Sequence, residues 1–160
     1  MFSIIIYTDG ACQHNPGPGG YGVVLTYGDH SRELQGGFRW TTNNRMEILA
    51  AIVGLEALKK TSQVQVVTDS QYVVNSMVKG WAEKWKRQNW MRTRSDKAKN
   101  ADLWERLLSL SQMHSVTWKW VRGHSGHEMN ERADRLAVEA REDVEALLED
   151  EVFELEVPIE

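Results

Sequence analysis

Cysteine is almost missing from this sequence. Cys12 stands alone, so no disulfide can close within the chain and no cysteine-rich zinc site can be assembled. Long apolar runs are missing too: none approaches the roughly 18 residues that a membrane-spanning helix needs. The opening residues, MFSIIIYTDG, lack the basic region and small-residue cleavage site of a signal peptide and read as a first strand. There is no internal repeat, no low-complexity segment beyond an acidic end, and no evident serine or cysteine triad. These absences predict a soluble cytoplasmic protein, and 160 residues suffice for one domain with one core.

The charge is abundant but unevenly placed. The net charge of −4 conceals a segment from Lys79 to Lys99 with eight basic residues against Glu83 and Asp96, while from Arg141 onward nine acids face one base. Such polarity points to a polyanion gripped by one local face, with the acidic end attracted to the basic segment at low salt.

Periodicity supplies the scaffold. SIIIYTD, YGVVLTYG and SRELQGGFRW read as three antiparallel strands separated by the turn signals NPGPGG and YGDHS. A helix follows over TTNNRMEILAAIVGLEALKK, with Thr41 or Thr42 as its cap. VQVVTD is a fourth strand, and SQYVVNSMVKGW a helix that Ser70 can cap. NADLWERLLSLSQMH is a helix with Asn100 as its expected cap, VTWKWV a fifth strand, and NERADRLAVEAREDVEALLED a final helix. Strands separated by helices imply parallel pairs, so the expected fold class is α/β, a mixed sheet with helices on its faces.

Two motifs are set aside. Gly17, Gly19 and Gly22 match the dinucleotide fingerprint, but a strand follows where that motif must open a helix, and Pro16 and Pro18 favour a turn. In GHSGHEMNERAD, His124 and His127 are spaced like metal ligands. Position 131, however, holds Glu where the zinc-protease motif needs His, and Gly126 breaks the helical spacing.

Four carboxylates remain. Asp9 ends one strand run and Asp69 another, and if those strands are parallel neighbours both acids emerge at the carboxyl ends, where α/β sheets place ligands. Glu47 lies about a turn into the first helix and Asp134 in the early turns of the last, near whose start Asn130 stands. Taken singly, each has an ordinary role as a turn, cap or helix-start acid. Taken together they would repel unless cations sat among them, and oxygen-only ligands favour Mg²⁺ or Mn²⁺. One or two such ions suit phosphodiester hydrolysis. His124, between glycines after a strand, has reach, and an imidazole is a side chain suited to proton transfer.

YTDGACQHNPGPGGYG, TTNNRMEILA, VTDSQYV, KNADLW and WKWVRGHSGHEMNERADRLA resemble, in order and spacing, ribonuclease HI of the bacterial type 1 family, over residues 3–140. The resemblance implies a ribonuclease H-like fold: a five-stranded mixed sheet, three antiparallel strands then two parallel, flanked by helices. It implies an endonuclease that cleaves the RNA strand of RNA–DNA hybrids, leaving 5′-phosphate and 3′-hydroxyl ends; a monomer is the expected state. By motif position, Asp9, Glu47, Asp69 and Asp134 match the metal-binding carboxylates and His124 the catalytic histidine. Asn15, Asn43 and Gln71 match residues that touch the RNA strand, Thr42 and Asn43 a DNA phosphate pocket, and Cys12 a contact position. Asn44 joins the substrate set as a neighbouring amide, although a helix-start role suits it. A basic protrusion at about 80–99, with Trp81, Lys84, Trp85, Lys86, Arg87 and Trp90, is expected to hold the hybrid. Residues 1–142 would form the catalytic domain and 143–160 an acidic extension of unknown partner. A resolvase or integrase on the same scaffold, or a binding module without catalysis, are the competing readings.

Overall fold

The β-branched runs pair as expected. In the computed structural model, which describes residues 4–159, β1 (Ile4–Cys12), β2 (Gly17–Tyr27) and β3 (His30–Thr41) form an antiparallel meander, and β4 (Gln63–Thr68) and β5 (Ser115–Trp120) extend it in parallel. The sheet order is β3-β2-β1-β4-β5, which puts β1 at the centre. Ser3 of the first predicted strand and the last acidic residue, Glu160, lie outside the described residues.

Alternation along β1 sends successive side chains to opposite faces. Ile6 joins the larger core with Val23, Met46, Ile52 and Trp104, while Tyr7 packs on the other face against Val24, Ala133 and Leu136. The larger core surrounds α1 (Asn43–Glu56), which lies between the sheet and α4 (Ala101–Met113) and is therefore apolar around most of its circumference. Leu107 of α4 is fully buried there; a side chain of that size contributes about 1.5–3 kcal/mol. The opposite face is covered by α5 (Glu128–Glu142). A Cβ on Gly22 of β2 would lie 2.1 Å from the Ala133 carbonyl oxygen, so α5 can settle on the sheet only because that position has no side chain. The glycines of GPGGYG thus belong to a strand that receives a helix, which agrees with setting aside the nucleotide motif.

Three boundaries differ from the sequence expectation. The helix predicted over 70–81 ends sooner, as α2 (Gln71–Val78), and Gly80 at φ 75° separates it from a further helix, α3 (Trp81–Arg87), in the basic segment. Asn100 precedes α4 but does not cap it; it sits at φ 65°, its side chain donates to the Tyr72 hydroxyl at 3.2 Å and it accepts from Arg45 at 3.5 Å. The last helix ends at Glu142 instead of running to Asp150. A short 3-10 turn (Val144–Ala146) then leads to α6 (Glu151–Glu156), and the segment packs against β3 and the start of α1.

That packing corrects the expected attraction between the acidic end and the basic segment. The observed partners of the extension lie between residues 37 and 45. Leu148 exchanges backbone hydrogen bonds with Gly37 and Arg39. Arg39 pairs with Glu154 at 2.7 Å, and the Trp40 indole donates to the Val157 carbonyl at 2.8 Å. The buried Arg45 guanidinium forms forked bonds with both Asp102 (2.7 and 2.8 Å) and Asp150 (2.8 and 2.9 Å). Asp150 also accepts from Thr41, and the Phe153 ring faces the guanidinium at 5.7 Å. Tertiary pairing of buried groups outweighs the helical propensity of the acidic run.

Among the described residues no helix is long and apolar enough to cross a membrane.

Candidate active site

Parallel pairing of β1 and β4 sets the site. Tyr7 stands opposite Val67, and two residues beyond that rung on each strand come Asp9 and Asp69, side by side at the carboxyl ends. Asp69 sits in the sharp exit from β4. Its backbone carbonyl accepts from the Trp120 indole at 2.9 Å, the Thr68 hydroxyl accepts from the amide of Ser70, and Ser70 caps α2 through Val73. Asp9 accepts from the amide of Gly10 at 2.9 Å.

Glu47 reaches these two acids because α1 lies almost in contact with β1. Thr42 caps α1 by accepting from the amide of Arg45, which starts the helix at Asn43 and puts Glu47 in its second turn. A Cβ at Gly10 would fall 2.6 Å from the amide nitrogen of Glu47, so any other residue there would push the helix away. Asp9, Glu47 and Asp69 thereby bring carboxylate oxygens within 4.8 Å of one another. Asp134, from the second turn of α5, lines the same cavity with Asp9, Asp69, His124, Asn130 and Glu131, but stands outside that three-carboxylate group. His124 is exposed on the loop between β5 and α5, with φ 55°. The Ser125 hydroxyl braces that loop by donating to the Arg122 carbonyl at 2.6 Å. His127 precedes α5 and Glu128 begins it, so neither joins the cavity.

The electrostatics of the cluster favour a cation. Burial first, then the neighbouring Asp69 charge, pushes the Asp9 carboxyl up to about 8. Burial and the charges of Asp9 and Asp69 hold Glu47 well above the ordinary carboxylate range. Burial raises Asp69 as well. One oxygen of Glu47, Oε2, is buried with no hydrogen-bond partner among the described residues. Close, desolvated carboxylates with an unpartnered oxygen fit a hard divalent cation bound through oxygen, and they offer no nitrogen or sulfur to a softer one.

The substrate candidates divide by position. Asn15 accepts from the amide of Asn43 at 3.1 Å, which joins those two residues beside the cap of α1, while Asn44 is exposed in the first turn of α1 and Gln71 at the first turn of α2. The Cys12 thiol faces the carbonyls of His14, Gly17 and Thr41 at 3.0, 3.5 and 3.4 Å, and burial raises its pKa, so it packs and does not attack.

In the basic region, Trp81 and Trp85 line a groove of about 510 Å³ with Tyr72, Arg92, Lys97 and Lys99. Lys84, Lys86 and Arg87 are exposed on α3. Lys79 lies 5.4 Å from the Trp81 ring. Trp85 also tilts against Trp104 at 6.3 Å, and Trp90 packs against the larger core away from the groove.

Sequence reasoning left Asn130 and Glu131 out of the cavity wall, although Asn130 stands one helical turn before Asp134 and so on the same face.

Comparison with known proteins agrees with this geometry. The RNase H family model matches residues 2–142. A ribonuclease H of Desulforamulus reducens is 61% identical over 137 residues, covering 86% of this chain and 86% of the relative. Among solved structures, LC9-RNase H1, a type 1 RNase H, is similar at a TM-score of 0.77 and 33% identity over 86% of this chain and 71% of its own. LC11-RNase H1, solved in complex with an RNA/DNA hybrid, is similar at 0.69 and 26% identity over 88% of this chain and 98% of its own. With the five-stranded topology and the acidic cluster at its carboxyl edge, these similarities identify the chain as a member of the ribonuclease H family, a type 1 ribonuclease H of the bacterial kind.

Proposed function

We propose that this enzyme hydrolyses the RNA strand of RNA–DNA hybrids by attack of water on phosphorus, leaving 5′-phosphate and 3′-hydroxyl ends. The observation that carries the reading is the meeting of Asp9, Glu47 and Asp69 within 4.8 Å at the strand ends. The hybrid bound by the similar LC11-RNase H1 supports the substrate class. Asp9, Glu47, Asp69 and Asp134 would hold one or two Mg²⁺ ions, or Mn²⁺ in their place. When bound, such a cation lowers the pKa of water and neutralises charge on the phosphoryl and leaving oxygens.

The remaining chemistry belongs to side chains. The water oxygen bonds to phosphorus as one of its protons passes to His124 or solvent, the bond from phosphorus to the 3′-oxygen breaks, and the 3′-oxygen acquires a proton. His124, exposed on its loop beside the acids, is suited to moving protons at this centre. Asn15, Asn43 and Gln71 carry amides that both donate and accept, as recognition of the 2′-hydroxyl requires. Thr42 and Asn43 at the start of α1 serve a phosphate of the DNA strand, and Cys12 and Asn44 lie at the edge of that surface. Trp81, Lys84, Trp85, Lys86 and Arg87 hold the backbone further along, with Trp90 supporting them from behind. The enzyme works as a cytoplasmic monomer.

A cleavage assay with labelled hybrid, RNA duplex and DNA duplex in Mg²⁺ tests the assignment. Only the RNA strand of the hybrid should be cut; cleavage of DNA duplex at a comparable rate would favour a resolvase or integrase instead.

Charge reversal at Lys86 and Arg87 together should raise KM for the hybrid by about 10-fold or more and flatten its dependence on salt, with kcat near normal. An unchanged salt slope would remove α3 from the binding surface.

A further inference from the structure

Among the described residues the cavity wall holds one buried side-chain oxygen without a partner. Oδ1 of Asn130, like Oε2 of Glu47, finds no hydrogen-bond partner among the described residues. A buried acceptor left alone is destabilising, so its persistence at a functional site asks for a reason. For Glu47 the reason is a cation. The Asn130 amide has no such explanation, and no step of the chemistry above uses it.

Its surroundings narrow the choice. Asn130 lines the cavity formed by Asp9, Asp69, His124, Glu131 and Asp134, and alone among those side chains it carries no titratable group. The free volume there is about 10 Å³, close to what a single water occupies. Asn130 belongs to the first turn of α5 and faces the same way as Asp134, so the helix that carries the acid also fixes the amide.

We propose that the Asn130 amide oxygen accepts a hydrogen bond from the attacking water and turns that water toward phosphorus. The attacking water loses one proton as its oxygen bonds to phosphorus. An acceptor that cannot take the proton orients one O–H and leaves the other free to ionise; Asn130 gains and loses no proton in the step. A carboxylate in its place would add charge to a wall already crowded with acids. The inference rests on the hydrolase reading above.

Asn130→Leu separates this role from a structural one, because it keeps the side-chain size and deletes the lone acceptor. Without metal, the melting temperature of the variant is expected to rise. With hybrid and Mg²⁺, its kcat should fall on the order of 10- to 100-fold while KM stays within about twofold. Asn130→Ala should show the same loss of kcat if leucine proves too bulky to fold. A kcat within twofold of wild type in both variants would overturn the proposal, as would a lowered melting temperature for a folded leucine variant. An Asp9→Asn control, assayed in parallel, keeps the two readings apart. If it is inactive while the Asn130 variants are not, only the role of Asn130 fails; if it is fully active, the hydrolase assignment itself fails.

Discussion

Replacing Asp9 with Asn should abolish hybrid cleavage and, in the absence of metal, make the protein more stable. The first effect follows from removing one of three converging carboxylates; a loss of about 4 kcal/mol of electrostatic stabilisation in the transition state is a rate loss of about 10³ or more. The second follows from linkage. Because the folded-state pKa of Asp9 is raised to about 8 from an ordinary 3.8, the folded protein binds that proton more tightly than the unfolded chain. The stability associated with the protonated acid is complete below about pH 4 and is lost as pH rises through the folded pKa. Metal-free wild type should therefore weaken between pH 5 and pH 9, by roughly a few kcal/mol, and the Asn variant should weaken much less. Mg²⁺ should restore the wild type at high pH by binding the folded form alone. Thermal melts of both proteins across this range, with and without Mg²⁺, measure it. Parallel curves for the two proteins in the absence of metal would mean that the acids are not electrostatically coupled.

The acidic extension yields the other large effect. Asp150→Ala would leave the Arg45 guanidinium with half of its forked partners and deprive the Thr41 hydroxyl of its acceptor. Side chains of Arg45 and Asp150 are only 3% and 10% exposed, so solvent cannot replace the lost bonds without opening the packing. Breaking a buried pair from one side costs about 3–5 kcal/mol. For a chain of this size that is a fall in melting temperature on the order of 10 °C. The remaining partner also predicts a dependence on acid. Burial alone would raise Asp102, but the Arg45 guanidinium outweighs it and holds the carboxyl below its ordinary value. The stability that Asp102 supplies is present above its unfolded pKa and disappears as pH falls through the lower folded one. The Asp150 variant, with Arg45 relying on Asp102, should unfold more readily below about pH 4 than wild type. A shift in melting temperature of under about 2 °C at neutral pH would show that the clamp contributes little.

The scaffold was legible wherever a local pattern decided it. β-Branched runs between turn signals mark the five strands, and a parallel pairing of IIIYTD with VQVVTD, the arrangement found, is enough to bring Asp9 and Asp69 together. Glu47 and Asp134 were legible as acids early in helices, and the family resemblance joined them to the others. Local pattern failed where distant residues decide. Arg45 and Asp150 are separated by 105 positions, and nothing in the run EALLEDEVFELE signals that one acid will be buried and its neighbours exposed. Gly80 is compatible with a helix interior as a residue type, and nothing in its neighbours signals the left-handed backbone that separates α2 from α3. Interleaved tryptophans suggested one aromatic surface, yet Trp81 faces the groove while Trp90 turns to the core. Asn130 reads in the sequence as an ordinary helix-start amide, and only the burial of its oxygen distinguishes it.

The fastening of the extension has a practical side for anyone preparing this enzyme. Val157 is bonded to the Trp40 indole, two residues from Thr42 and beside the surface where a hybrid would lie. A change that pulls Val157 away from Trp40 would loosen the segment that leads into α1. Ile4, at the beginning of the central strand, is five residues from Asp9 along β1, about 17 Å away toward the opposite edge of the sheet. Surface-coupling groups placed on the sheet edge near Ile4 would therefore leave the acids clear.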